Sequence, residues 1–146
     1  MFGSFLKRLS EPAPVPLNDD DARLALTALL VRVARTDGDY APEEKDRIDR
    51  ITAARYGLSP FEASELRQHA ETLEAEAPDT VVFTEAIKQA VDYDNRLGVV
   101  EALWQVALAD GERDADEDAL LRLVVKFLGV SDMDSARARQ RMAGTA

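Results

Sequence analysis

Two short acidic stretches hold the residue types best suited to chemistry in this chain. The first is Asp37-Gly38-Asp39, followed by Glu43 and Glu44; the second is Asp110-Gly111-Glu112, followed by Asp116 and Glu117. Clustered carboxylates on glycine turns are the ligand type of hard divalent cations, which take oxygen donors, six to eight of them for Ca²⁺. Asp37, Asp39 and Glu44 share the spacing of the back half of an EF-hand loop. The front half is missing, because its carboxylate positions hold Val33 and Arg35 in one copy and Val106 and Leu108 in the other. One copy supplies too few ligands for a tight site without carbonyls, water or a second copy; turns brought together by a pseudo-two-fold could pool their carboxylates around a cation, Ca²⁺ or Mg²⁺. The competing reading is local. Gly38 and Gly111 end helices, and Glu43, Glu44, Asp116 and Glu117 complement the positive end of the next helix. Capping accounts well for Asp114 and Glu117 and less well for Asp37 and Asp110, which precede the new helix by several residues.

The elements that must hold these turns repeat with them. An apolar run, Leu24 to Ala34 or Leu97 to Ala109, leads into each turn. An amphipathic segment follows each, closing on Gly57-Leu58-Ser59 or Gly129-Val130-Ser131. Self-similarity at this scale predicts one unit used twice, related by a pseudo-two-fold. Helices are expected over about 20–36, 42–56, 59–75, 79–91, 95–109 and 114–128, with an arginine-rich last helix after Ser131. Leu24, Leu26, Leu29, Leu30, Val31 and Val33 make the first helix apolar nearly all round, and Leu97, Val99, Val100, Leu103, Trp104 and Val106 do the same for the fifth. Both belong at the centre of a bundle. Pro42 and Pro60 suit first helical turns, and Asp92-Tyr93-Asp94-Asn95 reads as a cap between the halves. No segment shows strand alternation bounded by hairpin turns. The fold class is all-α, with about seven helices.

The bulk numbers narrow the function. A 146-residue chain with 46% apolar residues can bury one core. A formal charge of −10 argues against nucleic acid, whose backbone requires clustered Lys and Arg. Without cysteine there is no thiol chemistry. No run approaches the roughly 20 apolar residues of a membrane span. Residues 1–17 divide from the domain at 18–146: Phe2, Phe5, Leu6 and Leu9 form a short apolar turn, and Glu11-Pro12-Ala13-Pro14-Val15-Pro16 a stiff linker. The turn either folds back onto the domain or, aided by Lys7 and Arg8, anchors at a membrane surface. The expected location is cytoplasmic, with peripheral membrane association as the variant. His69, the one histidine, reads as an exposed polar residue.

At Ala34-Arg35-Thr36-Asp37-Gly38 with Glu43-Glu44, and again at Ala107-Leu108-Ala109-Asp110-Gly111 with Asp116-Glu117, the sequence resembles the TerB family of tellurite-resistance proteins. The resemblance extends over about residues 18–142. It implies an all-α fold of about seven helices with internal pseudo-symmetry and a cytoplasmic stress-response role without catalysis. It further implies an adaptor linked to an integral-membrane partner of the TerC type, with divalent metal at the acidic clusters. Onto this chain it carries Asp37, Asp39, Glu43, Glu44, Asp110, Glu112, Asp116 and Glu117. TerB-like folds also serve as modules elsewhere, including in membrane-anchored co-chaperones. From a different class, a metal-dependent hydrolase using carboxylate-bound cations is the alternative. It needs the acids in a pocket with a base, for which only His69 is available. A purely structural interaction module is the third reading.

Overall fold

The computed structural model describes residues 19–36, 40–76, 79–108 and 115–144. Those residues form seven helices and no strand: α1 (Asp19–Arg35), α2 (Pro42–Tyr56), α3 (Pro60–Glu76), α4 (Thr80–Ala90), α5 (Tyr93–Ala107), α6 (Ala115–Phe127) and α7 (Asp132–Gly144). The all-α expectation holds. The N-terminal turn and the proline linker lie outside the described residues.

The central position expected of α1 follows from its sequence and is observed. Ala25, Leu26, Ala28, Leu29, Leu30, Val31, Val33 and Ala34 are all buried. A helix apolar on every side has no face to offer water, so α3, α4 and α5 close around it. Full burial of each leucine contributes about 1.5–3 kcal/mol. The one hydroxyl in this stretch, Thr27, returns its proton to the Arg23 carbonyl at 2.7 Å and is thereby satisfied inside the core. In the second half α5 buries Val99, Val100, Leu103 and Val106, and its main partner is α7.

The two halves are punctuated alike. Gly57, at φ 66°, ends α2, and Gly129, at φ 73°, follows α6; both lie in the left-handed region that a Cβ disfavours. Past each glycine a backbone N–H returns to the helix, Leu58 to the Ala53 carbonyl at 3.0 Å and Val130 to the Val125 carbonyl at 3.2 Å. A serine then opens the next helix. Ser59 Oγ accepts from the Glu62 N–H and Ser131 Oγ from the Asp134 N–H, each at 3.1 Å.

The direction of α5 relative to the first two helices is legible from their ends. Ala22, Arg23 and Leu26 of α1 share a cavity of about 440 Å³ with Asp92, Asn95 and Val99, so α1 and α5 begin side by side. Arg55, near the end of α2, donates from Nη2 to the Asn95 carbonyl at 3.5 Å near the start of α5.

Candidate functional site

The candidate carboxylates lie where α1 gives way to α2 and α5 to α6. Asp37, Asp39, Asp110 and Glu112 lie outside the described residues, as do the side chains of Asp116 and Glu117, whose backbone begins α6. Glu43 and Glu44 are described. Glu43 is exposed in the first turn of α2. Glu44 is half-buried and its Oε1 accepts from the Ala41 N–H at 3.4 Å, half of a capping box around a residue that has no side-chain oxygen to return. The helix-capping role read for Glu44 is therefore present. Among the described residues no group of three His, Asp or Glu is arranged to hold a metal ion.

What the geometry adds is the clamp on the chain as it leaves the first turn. Tyr40 donates its hydroxyl proton to Glu71 Oε2 at 2.6 Å, and its ring lies 5.1 Å from the Arg35 guanidinium and 5.1 Å from Lys45 Nζ. Arg67 of α3 reaches the same Glu71 oxygen from Nη1 at 2.9 Å and Asp49 Oδ1 of α2 from Nε at 2.8 Å. Burial, reinforced by the Glu71 carboxylate, holds the Tyr40 hydroxyl well above the ordinary tyrosine value of 10.0. For Arg67 burial works against the charge, but Asp49 and Glu71 together outweigh it and raise the guanidinium further. The first residue after Asp39 is thus pinned to α3, and α3 to α2.

A second joint secures the end of α1. Arg32 donates from Nε to Glu74 Oε2 at 3.0 Å, from Nη2 to the Glu74 carbonyl at 3.1 Å and from Nη1 to Thr80 Oγ1 at 3.1 Å. Arg35 Nη1 takes the other Glu74 oxygen at 3.0 Å. Glu74 thus ties the last turn of α1 to the end of α3, and Arg32 extends the joint to the start of α4. Sequence reading missed this network because its members lie tens of residues apart; the local signal was two arginines in the last turn of an otherwise apolar helix. Both favour the negative helix end.

Other sequence candidates resolve more simply. His69 is exposed, as expected. It lines a cavity of about 430 Å³ with Glu62, Glu65 and Leu58. Ser59 holds the Glu62 carboxyl below its ordinary value through the backbone N–H at 2.9 Å and the side-chain hydroxyl. Asp92 is a cap, its Oδ1 accepting from the Asn95 N–H at 3.0 Å. Trp104, expected in the core, is half-buried. Its indole N–H donates to Ser135 Oγ at 3.1 Å and Arg139 covers its ring at 5.4 Å.

A central pair of helices, each followed in sequence by an acidic stretch and a further helix, defines a class of helical domain, and the sequence itself carries the assignment. The family model described as "Tellurite resistance protein TerB" matches residues 23–140. The chain belongs to the TerB family. No curated protein matches it. Among solved structures, a protein of unknown function, PG1108 from Porphyromonas gingivalis W83, superposes with a TM-score of 0.64 at 18% identity, covering 91% of this chain and 96% of that one. At that identity the likeness speaks for the fold alone. No helix among the described residues is long and apolar enough to cross a membrane.

Proposed function

We propose that this chain is a non-enzymatic TerB-like adaptor of a tellurite-associated stress response, and that its two acidic turns act as one site. The site takes a divalent cation, Ca²⁺ or Mg²⁺, or a basic surface of a membrane-associated partner such as an integral-membrane protein of the TerC type. Asp37, Asp39, Glu43 and Glu44 from one turn and Asp110, Glu112, Asp116 and Glu117 from the other are its carboxylates. The folded unit in this reading is 18–146, preceded by the short segment 1–17, and it works in the cytoplasm.

The observation that carries the reading is the shared start of α1 and α5. Helices that begin side by side, pack on one another and have similar lengths of 17 and 15 residues finish near the same end. That supports convergence of the two connectors and a pseudo-two-fold relation between the halves. For the hydrolase alternative, the cavity that His69 lines includes neither Glu43 nor Glu44 among the described residues. His69 shares its cavity with Leu58, past the far end of α2 from Glu43 and Glu44.

The test is a thermal-shift series with EDTA, Ca²⁺, Mg²⁺, Mn²⁺ and Zn²⁺ on the wild type and on Asp37→Asn/Asp110→Asn. At a hundred times its Kd a cation should stabilise by about 2.7 kcal/mol, roughly 8 °C for a chain of this size. The double variant should lose the shift. If no cation moves the wild type, the metal half of the reading falls. The turns are then a partner-docking surface or helix caps.

A further inference from the structure

The chain carries a net charge of −10, yet a groove of about 660 Å³ on its surface is edged by arginines. Arg47, Arg50 and Arg55 come from one side of α2, with Ile51 and Ala54 between them at helical spacing. Across the groove α5 presents Gly98, Glu101 and Ala102, and α7 adds Met142. Glu101 already accepts from Arg141 Nε at 3.4 Å. Arg47 and Arg50 have no ion pair or hydrogen bond among the described residues, whereas Arg32, Arg35, Arg67, Arg137 and Arg141 all reach carboxylates. Gly98 fits the same design. Glycine weakens a helix interior by about 0.5–1 kcal/mol, but a Cβ here would stand 3.0 Å from Arg55 Nη1. Its absence lets the Arg55 guanidinium lie against α5.

We propose that this groove docks an acidic amphipathic helix of a partner protein. The carboxylates of that helix would meet Arg47, Arg50 and Arg55, and its apolar face would cover Ala54 and Met142, above the buried Ile51 and Ala102. Charge complementarity selects the occupant: cations crowded on one helix face repel unless anions cover them, and guanidinium forks match carboxylates. Exposed Ala54 and half-buried Met142 beside the arginines favour a helix over a small anion, which would leave them wet; from Arg47 to Arg55 the seat is about 12 Å long, some two helical turns. The chain's own segment 1–18 does not suit, since Lys7 and Arg8 outnumber Glu11 and give it the sign of the groove. None of the groove's residues is among the carboxylates assigned to the acidic turns, and the proposal does not rest on them.

The test is an amide chemical-shift titration of the full chain with a synthetic helical peptide of about four turns, bearing Glu along one face and Leu beside it. Parallel titrations use the same peptide with Lys for Glu, inorganic phosphate, and phosphatidylglycerol vesicles. Saturable shifts confined to residues 47–55 and 98–105 are expected, with Kd weakened about tenfold or more in Arg47→Glu/Arg50→Glu. Arg47→Gln/Arg50→Gln serves if the reversed variant misfolds. The proposal is overturned if the Glu peptide causes no shifts at about 1 mM, or if the Gln variant binds as the wild type does. Equal binding of the Lys peptide or phosphate at these residues, or of vesicles in place of the peptide, overturns it as well.

Discussion

The first and last three helices run through the same order of events, yet they are fastened by different chemistry. In the first half charge does the fastening: Glu74 binds Arg32 and Arg35, and Arg67 bridges Asp49 and Glu71, with Arg67 only 13% exposed. In the second half the bonds between α5 and α7 are mostly neutral donors. Trp104 donates to Ser135, and Tyr93 donates its hydroxyl to Asp134 Oδ2 at 2.7 Å. The ion pair there, Arg141 with Glu101, has an arginine 51% exposed, where screening leaves little net stabilisation. Even the serine caps diverge. Glu62 completes its capping box by accepting from the Ser59 N–H at 2.9 Å, whereas the Asp134 carboxylate turns to Tyr93. The glycine and serine punctuation is thus common to both halves, while the lateral fastening is particular to each.

The comparison breaks most visibly at Arg67. Arg67→Ala leaves Asp49 and Glu71 partly buried without their cation and should cost about 2–3 kcal/mol. Ser135→Ala, its counterpart in the second half, removes one neutral bond and should cost about 1 kcal/mol. Urea melts of both variants measure the difference, and equal losses would erase the distinction between the halves.

The glycines sharpen it next. Gly57→Ala meets nothing within 4 Å and should cost only the left-handed backbone penalty, about 1–2 kcal/mol. Gly129→Ala adds contacts at 3.2 Å to Arg96 Nη1 and 3.7 Å to Lys88 Cε, so its loss should be larger. Arg96 Nη1 also donates to the Leu128 carbonyl at 2.6 Å and is not free to swing away.

The smallest effect is in alkali. Tyr40 ionises in the folded state well above its ordinary 10.0, so its contribution is complete below pH 10 and is lost as pH rises beyond it. Tyr40→Phe should flatten that part of the stability profile, as denaturant melts across the alkaline range would record.

Much of the fold was readable because helix ends are written locally. Pro42 and Gly57 bound α2 as the sequence suggests, and Ser59, Asp92 and Ser131 cap α3, α5 and α7. Burial was less readable. In α4 Phe83, Thr84, Ala86 and Ile87 are the buried set, while the equally apolar Val81 and Val82 are only half-buried. The inward face is chosen by neighbouring helices, and Thr84 can join it because its hydroxyl bonds the Val81 carbonyl at 3.1 Å. In α3 Ala63 and Ala70, which give almost no hydrophobic signal, are buried beside Leu73. The ion pairs were illegible for a further reason. Nothing in local spacing tells Arg67 to choose Asp49, 18 residues away, as well as its helical neighbour Glu71. For the candidate site, the capping duty of Glu44 was legible in the sequence, while the Tyr40 clamp emerged only from the fold.

The most direct test of whether the two acidic turns act as one is calorimetric titration of the cation that stabilises the chain. The account predicts one cation per chain, with heat lost when either Asp37→Asn or Asp110→Asn is made alone. Two independent cations, each lost with its own turn, or heats indifferent to both substitutions, would contradict it.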